Sequence, residues 1–230
     1  MRLTTIKTGS IGNCYVLTND AGKHLILDAG IPIDEIKQGI DYDIENVVGA
    51  IVSHQHNDHS MSVNKLKSMG IPVWQPYLDE SHLRLKTKIA DYSIQSFYLP
   101  HNGCSNRGFL IDVDGTRILY ATDFEYVGWN LSNQKINIAL VEMNYQADRI
   151  NTLNNHREHV VLGHAEEKTT IDFLSTIKSN LRKVILCHMS MSGALDRPLA
   201  IERIREVIPE YIGVQFAIPG ESIDISECPF

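Results

Sequence analysis

Residues His54, His56, Asp58 and His59 form the run H-x-H-x-D-H within IVSHQHNDHS, residues 51–60. Side chains two apart on an extended chain point the same way, so His54 and His56 can reach one ion together. Asp58 and His59 follow at the start of a turn into a helix and can face a second ion. Imidazole and carboxylate together suit zinc, manganese or iron and do not suit calcium. A polar loop whose histidines only meet water would explain one such residue. It is a poor account of three histidines and an aspartate placed directly after the apolar stretch Gly49-Ala50-Ile51-Val52.

Six residues cannot complete two metal shells, so further ligands are expected at other strand ends. Three residues meet that condition. His101 follows SIQSFYLP, Asp123 follows TRILYAT and His188 follows RKVILC. Each alone could be a turn residue; as a set with the histidine cluster they point to a dinuclear centre.

The elements that must position these groups are legible as patterns. Thr4–Thr8, Cys14–Thr18 and His24–Asp28 are short and rich in strand formers, with the turn Asn19–Gly22 between the last two. Val47–Ser53 is a continuous apolar run, as expected of a strand covered on both faces. Ser60–Met69 has helical spacing and stops at Gly70. Ile71–Trp74 reads as strand and Asp79–Lys86 as a short helix. Strands are expected at Ser93–Leu99, Gly108–Val113, Thr116–Ala121, Ile138–Glu142, Lys183–Cys187 and Gly213–Ala217, and helices at Glu166–Lys178 and Pro198–Val207. Strands in two batches, each followed by helices, predict an α+β fold with two sheets face to face and helices outside. With no repeat or Gly/Pro/Ser-rich linker, residues 1–230 read as a single domain.

Composition sets bounds. The chain is 43% hydrophobic and 21% charged, ordinary for a soluble protein. No apolar run approaches the roughly 20 residues that span a bilayer, and Met1–Ile6 reads as strand rather than signal peptide, so a cytoplasmic location and no membrane partner are expected. The net charge of −7 argues against a nonspecific nucleic-acid coat without excluding nucleic acid as substrate, because bound cations add local positive charge. Cys14, Cys104, Cys187 and Cys228 form no C-x-x-C pair and read as free thiols.

Taken in order, H-x-H-x-D-H, a later His, a later Asp and a final His resemble the metallo-β-lactamase superfamily, over the span from Asp28 to His188. The resemblance implies a four-layer αββα sandwich of two mixed sheets, with two metal ions at one edge. It implies that His54, His56 and His101 bind one ion, that Asp58, His59 and His188 bind the other, and that Asp123 bridges them. Asp28, in LDAG (27–30), matches the family's first motif and would orient the H-x-H-x-D-H loop from outside the metal shell. A bridging aspartate is carried by the superfamily's phosphodiesterases, glyoxalases and lactonases and is usually missing from its β-lactam hydrolases. Within the superfamily the chain looks most like the YycJ/WalJ group of small bacterial exonucleases. The matching segments include GSIGNCYVL (9–17), PHNGCSNRGFLI (100–111), ATDFEYV (121–127), VEMNYQ (141–146), GHAEEKTTIDFL (163–174) and LCHMSMSG (186–193). Ile11 stands where the group tends to have a second Ser, and Ser62 where Gly is common.

His164 precedes an acidic helix start, and a histidine in a similar place serves nucleases such as tRNase Z and RNase J as a phosphate contact or general acid. Glu142 would orient it or a metal ligand. Ser10 and Asn13, on the Gly-rich N-terminal loop, could offer backbone N–H groups to a phosphate. His24, His82, His156 and His159 are discounted, Cys187 is expected in the core, and Arg107, Arg149, Arg157 and Arg197 are scattered candidates for strand contacts. The resulting expectation is hydrolysis of a phosphodiester, in a nucleic acid, by a hydroxide bridging two divalent ions. Asp58 or Asp123 would take the water's proton and His164 would protonate the leaving oxygen. The alternative is a metal-dependent thioesterase or lactonase acting on a small ester. Metal identity among zinc, manganese and iron, DNA against RNA, and oligomeric state are not fixed by these residues.

Overall fold

Alternation along the strands decides the layering. In β2 (Cys14–Thr18) and β3 (His24–Leu27), Tyr15, Leu17, Leu25 and Leu27 turn to one side, and Cys14, Val16 and Ile26 to the other. In β10 (Ile138–Glu142) and β11 (Lys183–Cys187), Ile138, Leu140, Ile185 and Cys187 face one way, and Ala139, Val141, Val184 and Leu186 the other. Strands apolar on both faces must be covered on both faces. The first sets meet as the core between two sheets, and the second sets are covered by helices. Each fully buried Leu or Ile contributes about 1.5–3 kcal/mol, so strands apolar on both faces strongly favour four layers.

The computed structural model describes residues 1–79, 81, 83–149, 161–189 and 194–226. One sheet has the order β13-β1-β2-β3-β4-β5, with β1 (Arg2–Lys7), β4 (Val47–Ile51), β5 (Val73–Trp74) and β13 (Ser222–Asp224). The other runs β12-β11-β10-β9-β8-β7-β6, with β6 (Leu85–Ile89), β7 (Tyr92–His101), β8 (Cys104–Val113), β9 (Thr116–Ala121) and β12 (Gly213–Phe216). Both sheets are mixed. Strands β3, β4 and β5 run parallel, as do β9 to β12, while the rest pair antiparallel. Helices α1 (Ile33–Gly39) and α3 (Val63–Ser68) put Ile36 and Leu66 against the outside of the first sheet. Helices α4 (Glu167–Ile177) and α5 (Arg197–Arg205) put Phe173, Leu174, Ala200 and Ile204 against the outside of the second. The chain therefore has the α+β metallo-β-lactamase fold. Among the described residues no helix is long and apolar enough to cross a membrane.

Two sequence expectations need correction. The segment expected as one helix over Ser60–Met69 is two, α2 (Asn57–Ser60) and α3, so helix begins within the histidine motif itself. Of the helix expected over Asp79–Lys86, none of the described residues is helical: a 3-10 turn covers Pro76–Leu78 and β6 begins at Leu85. The reason is competition for carbonyls. The Arg107 guanidinium takes those of Asp79 and Ser81, which a helix over these residues would need for itself, and that of Leu83 as well.

The parallel strands end together on one edge of the sandwich. Leu27 lies beside Ile51, Ala121 beside Val141, and Glu142 beside Cys187. Just beyond these ends Asp28, Asp123 and His188 adopt left-handed φ angles of 57°, 53° and 49°. Such conformations cost a non-glycine residue of order 1–2 kcal/mol; the sharp turn drops each side chain onto the shared edge. Gly30 is needed for close approach rather than torsion. A Cβ there would sit 1.6 Å from the Asp58 carbonyl oxygen. Around it Ala29 N–H donates to His59 O, Gly30 N–H to Asn13 O, and Asn13 N–H to Asp58 O. Gly30→Ala should therefore lower unfolding free energy by about 2 kcal/mol or more, read from the denaturant midpoint, and a variant of unchanged stability would contradict this packing.

Candidate metal centre

Three donor nitrogens converge from β4 and β7. His54 Nε2 lies 2.9 Å from His56 Nδ1, and His101 Nε2 lies 3.2 Å from that same atom. Asp123 Oδ2 is 3.9 Å from His54 Nε2 and 3.8 Å from His101 Nε2. A second group gathers on the other carboxylate oxygen. Asp123 Oδ1 is 3.3 Å from His59 Nε2 and 3.5 Å from His188 Nε2, and Asp58 Oδ2 stands 3.5 and 3.8 Å from those two nitrogens. Asp123 is thus shared, one oxygen to each group.

The donors fit divalent cations. In a tetrahedral site with bonds of about 2.0–2.1 Å, neighbouring donors stand about 3.3–3.4 Å apart, and the separations here bracket that value. His188 Nε2 is buried and has no hydrogen-bond partner among the described residues, an arrangement that a protein tolerates when the atom has another use. His54, His56 and His101 form one group that could hold an ion, and Asp58, His59, Asp123 and His188 another.

Ring orientation is set from behind. Asp28, fully buried, takes hydrogen bonds from Ser53 N–H (2.7 Å), Ser53 Oγ–H (2.9 Å) and the Tyr120 hydroxyl, and its Oδ2 lies 2.7 Å from His59 Nδ1. Ser53 Oγ also stands 3.1 Å from His54 Nδ1. His101 Nδ1–H donates to the Gly163 carbonyl. Gly163 lets this loop lie close, since a Cβ there would come 3.2 Å from the His101 ring, a tight contact that would press on it. Glu142 Oε1 sits 2.8 Å from His164 Nδ1 and 2.9 Å from His188 Nδ1, while its Oε2 accepts from the N–H groups of Phe124 and Ala165. With Nδ1 engaged, each of His54, His59, His101 and His188 presents Nε2 to the centre; His56 alone presents Nδ1.

Charge follows the same plan. Burial, seconded by the neighbouring His59, pushes His54 well below its ordinary value, so it is neutral and ready to ligate. Burial also works to lower His188, but the carboxylates of Asp123, Asp58 and Glu142 outweigh it and push the ring up to about 10. His59 is raised in the same way, against burial, by Asp123 and Asp28. Burial works to raise the Asp58 carboxyl, yet His188 and His59 hold it well below the usual range.

The remaining residues singled out in the sequence fall in several places. His164 lies at the rim, its ring stacked on His188 with centroids 5.1 Å apart and Nδ1 3.9 Å from Asp123 Oδ2. Ser10 is exposed on the loop that packs beside Met189. Asn13 is buried. Its N–H is spent on Asp58 and its Nδ2 lies 3.0 Å from His59 Nε2, so it braces the cluster and does not offer that N–H to a ligand. Ser62 Oγ donates to the Ile31 carbonyl, and Ile11 is exposed. Cys187 is in the inter-sheet core. His24 is away from the centre, between Thr18 and Asp43. Arg107 is buried, and Arg149 pairs with Asp196. His82, His156, His159, Arg157, Cys228 and Ser190–Gly193 lie outside the described residues. Sequence patterns missed Ser53, Tyr120 and Gly163. Ser53 could have been found from its place before His54, whereas nothing in TRILYAT marks Tyr120 as the partner of a residue 92 positions earlier.

Residues 8–88 match the family described as the metallo-beta-lactamase superfamily. No curated protein sequence matches this chain significantly. Among solved structures, the metallo-beta-lactamase fold protein YhfI from Bacillus subtilis superposes with a TM-score of 0.76 at 14% identity, covering 97% of this chain and 99% of that one. The short form of human tRNase Z gives 0.68 at 14% identity, covering 98% and 100%. A diphosphatase from the PhnP family gives 0.66 at 14% identity, covering 97% of each. The family match covers residues 8–88, and these solved structures share the fold over nearly the whole chain.

A cation entering the second group must displace the protons that the carboxylates hold on His188 and His59. Binding should therefore release one or more protons at neutral pH and tighten as pH rises toward 10. Calorimetric zinc titrations in buffers of different ionisation enthalpy measure this, and an observed enthalpy independent of buffer would contradict it.

Proposed function

We propose that this chain is a two-cation hydrolase of phosphodiester bonds in nucleic acid, an exonuclease of the YycJ/WalJ type acting in the cytoplasm. The division of Asp123 carries the proposal: Oδ2 faces His54 and His101, and Oδ1 faces His59 and His188. One carboxylate serving two donor groups is what a pair of nearby ions requires. His54, His56 and His101 would hold the first ion and Asp58, His59 and His188 the second, with Asp123 between them; zinc, manganese and iron all suit these donors. Two such ions, once bound, acidify water and neutralise charge that builds on a phosphoryl group.

The protein's own groups complete the chemistry. Asp58 or Asp123 would accept the proton given up by the attacking water. His164 would give a proton to the leaving oxygen. Its side chain is 12% exposed, so it can meet substrate, and Glu142 holds its Nδ1. The same Glu142 oxygen also fixes His188, so the proton donor and a metal ligand share one positioning carboxylate. Ser10, exposed on the loop whose Gly9 packs beside Met189, would meet a substrate phosphate. The fold shared with tRNase Z and a PhnP-family diphosphatase accords with phosphorus-ester chemistry.

After reconstitution with zinc or manganese, the protein should cleave labelled DNA or RNA faster than a nitrophenyl ester. Asp123→Ala should lose metal stoichiometry, read by elemental analysis, and about a thousandfold or more in kcat, given that metal polarisation supplies several kcal/mol. An Asp123→Ala variant with full nuclease activity would sink the proposal. His164→Ala should lose about 10²–10⁴-fold on a nucleic acid. It should lose far less on bis(p-nitrophenyl) phosphate, whose leaving group needs no proton. Equal losses on both would remove the general-acid role.

A further inference from the structure

Both main-chain groups of His188 are taken by side chains. Its N–H donates to Thr8 Oγ1 (2.9 Å), and its carbonyl accepts from Asn144 Nδ2 (2.7 Å). Asn144 lies two residues past β10, in the same sheet as His188, whereas Thr8 directly follows β1 of the other sheet. Thr8 is itself held from behind. The hydroxyl of Tyr15, a fully buried residue of β2, donates to Thr8 Oγ1 at 2.7 Å. One threonine oxygen therefore accepts two hydrogen bonds, which uses both of its lone pairs. His188 needs such support, because it holds a left-handed φ of 49° that a residue with a Cβ does not favour.

Residues 8–13, which join β1 to β2, are closed on themselves. Gly9 N–H donates to Asn13 Oδ1, and Asn13 Nδ2 and Gly12 N–H both donate to the Gly9 carbonyl. Gly9 lies against the chain just past His188, where a Cβ on it would stand 3.4 Å from the Met189 carbonyl oxygen. At its far end the loop gives Asn13 N–H to the Asp58 carbonyl. It thus grips the two chain segments that carry Asp58, His59 and His188. The first donor group is held from elsewhere: Ser53 Oγ stands against His54 Nδ1, and the Gly163 carbonyl takes the His101 N–H.

The two donor groups therefore have separate supports. We propose, resting on the two-cation reading above, that Thr8 is a positioning residue for His188, and that through it the loop between β1 and β2 sets the affinity for the second ion while Ser53 and Gly163 serve the first. Without the Thr8 hydroxyl, the His188 N–H and the Tyr15 hydroxyl both lose their acceptor. The turn that aims His188 Nε2 at Asp58 and Asp123 is then released, while the supports of His54 and His101 are untouched.

Zinc titrations of metal-free protein, read by calorimetry and by elemental analysis after desalting, test this. Wild-type protein should take up two ions per chain, and His188→Ala, which removes a donor of the second group, identifies the step that belongs to that group. Thr8→Val matches threonine in shape and lacks its hydroxyl. It should weaken that same step by about 10–100-fold and leave the other nearly unchanged. Thr8→Ser should restore it, whereas a role in packing alone would be carried by the methyl group that serine lacks. Tyr15→Phe, which leaves the bond from His188 to Thr8 in place, should weaken the same step by less. Equal weakening of both steps by Thr8→Val, no change in either, or no recovery in Thr8→Ser overturns the positioning role and leaves the two-cation reading standing. A wild-type chain that takes up a single ion overturns that reading and this inference with it. If Thr8→Val fails to fold, Tyr15→Phe decides, since unchanged affinities in that variant overturn the role as well.

Discussion

One buried carboxylate joins the two sheets at the edge where the chemistry would occur. Asp28 lies at the end of β3 in the first sheet. It receives Ser53 from the end of β4 and contacts His59 from the motif turn, and it also accepts the Tyr120 hydroxyl from β9 in the second sheet. A buried carboxylate without such partners would be expensive to keep; with them it becomes a fixed point shared by both halves of the sandwich. Its left-handed backbone, φ 57°, is what lets the side chain turn in from a strand end. The H-x-H-x-D-H turn can then lie flat on the chain, because Gly30 leaves no Cβ between it and Asp58.

The remaining positioning groups repeat that logic with different chemistry. A carboxylate holds His59, a hydroxyl approaches His54, a main-chain carbonyl holds His101, and Glu142 holds His188 together with His164. None of these partners needs to touch an ion. Their common effect is to use up the outer nitrogen of each ring, which fixes both rotation and tautomer. Clustered imidazoles and carboxylates would otherwise find many arrangements, since each side chain has its own rotamers and the groups interact strongly at short range. The cost of holding them in one arrangement falls on the backbone, in the left-handed residues at strand ends, and is offset by packing in the cores on either side of each sheet.

Packing and site are linked through parallel strands. Parallel pairing of β3 with β4 and of β9 through β11 places their carboxyl ends on one edge. Residues spread from Asp28 to His188 thereby become neighbours. Arg107 extends the arrangement sideways. It draws in the carbonyls of Asp79, Ser81 and Leu83 and so competes with the helix expected there.

Much of this was legible in the sequence, for identifiable reasons. Continuous apolar runs in stretches such as HLIL and KVILC specify strands covered on both faces, and hence the layered α+β fold, because successive side chains of an extended chain face opposite sides. The spacing of His54, His56, Asp58 and His59 marks a metal-type donor cluster for the same reason: residues close in sequence have few ways to be arranged. What tertiary structure alone decided is which distant groups complete it. That Asp123 splits its two oxygens, that Tyr120 reaches Asp28, that Asn13 spends its N–H on Asp58 and that Arg107 takes the carbonyls of Asp79, Ser81 and Leu83 all depend on contacts tens of residues apart. Such contacts are fixed by sheet pairing and packing, and leave no periodic trace in the chain that makes them.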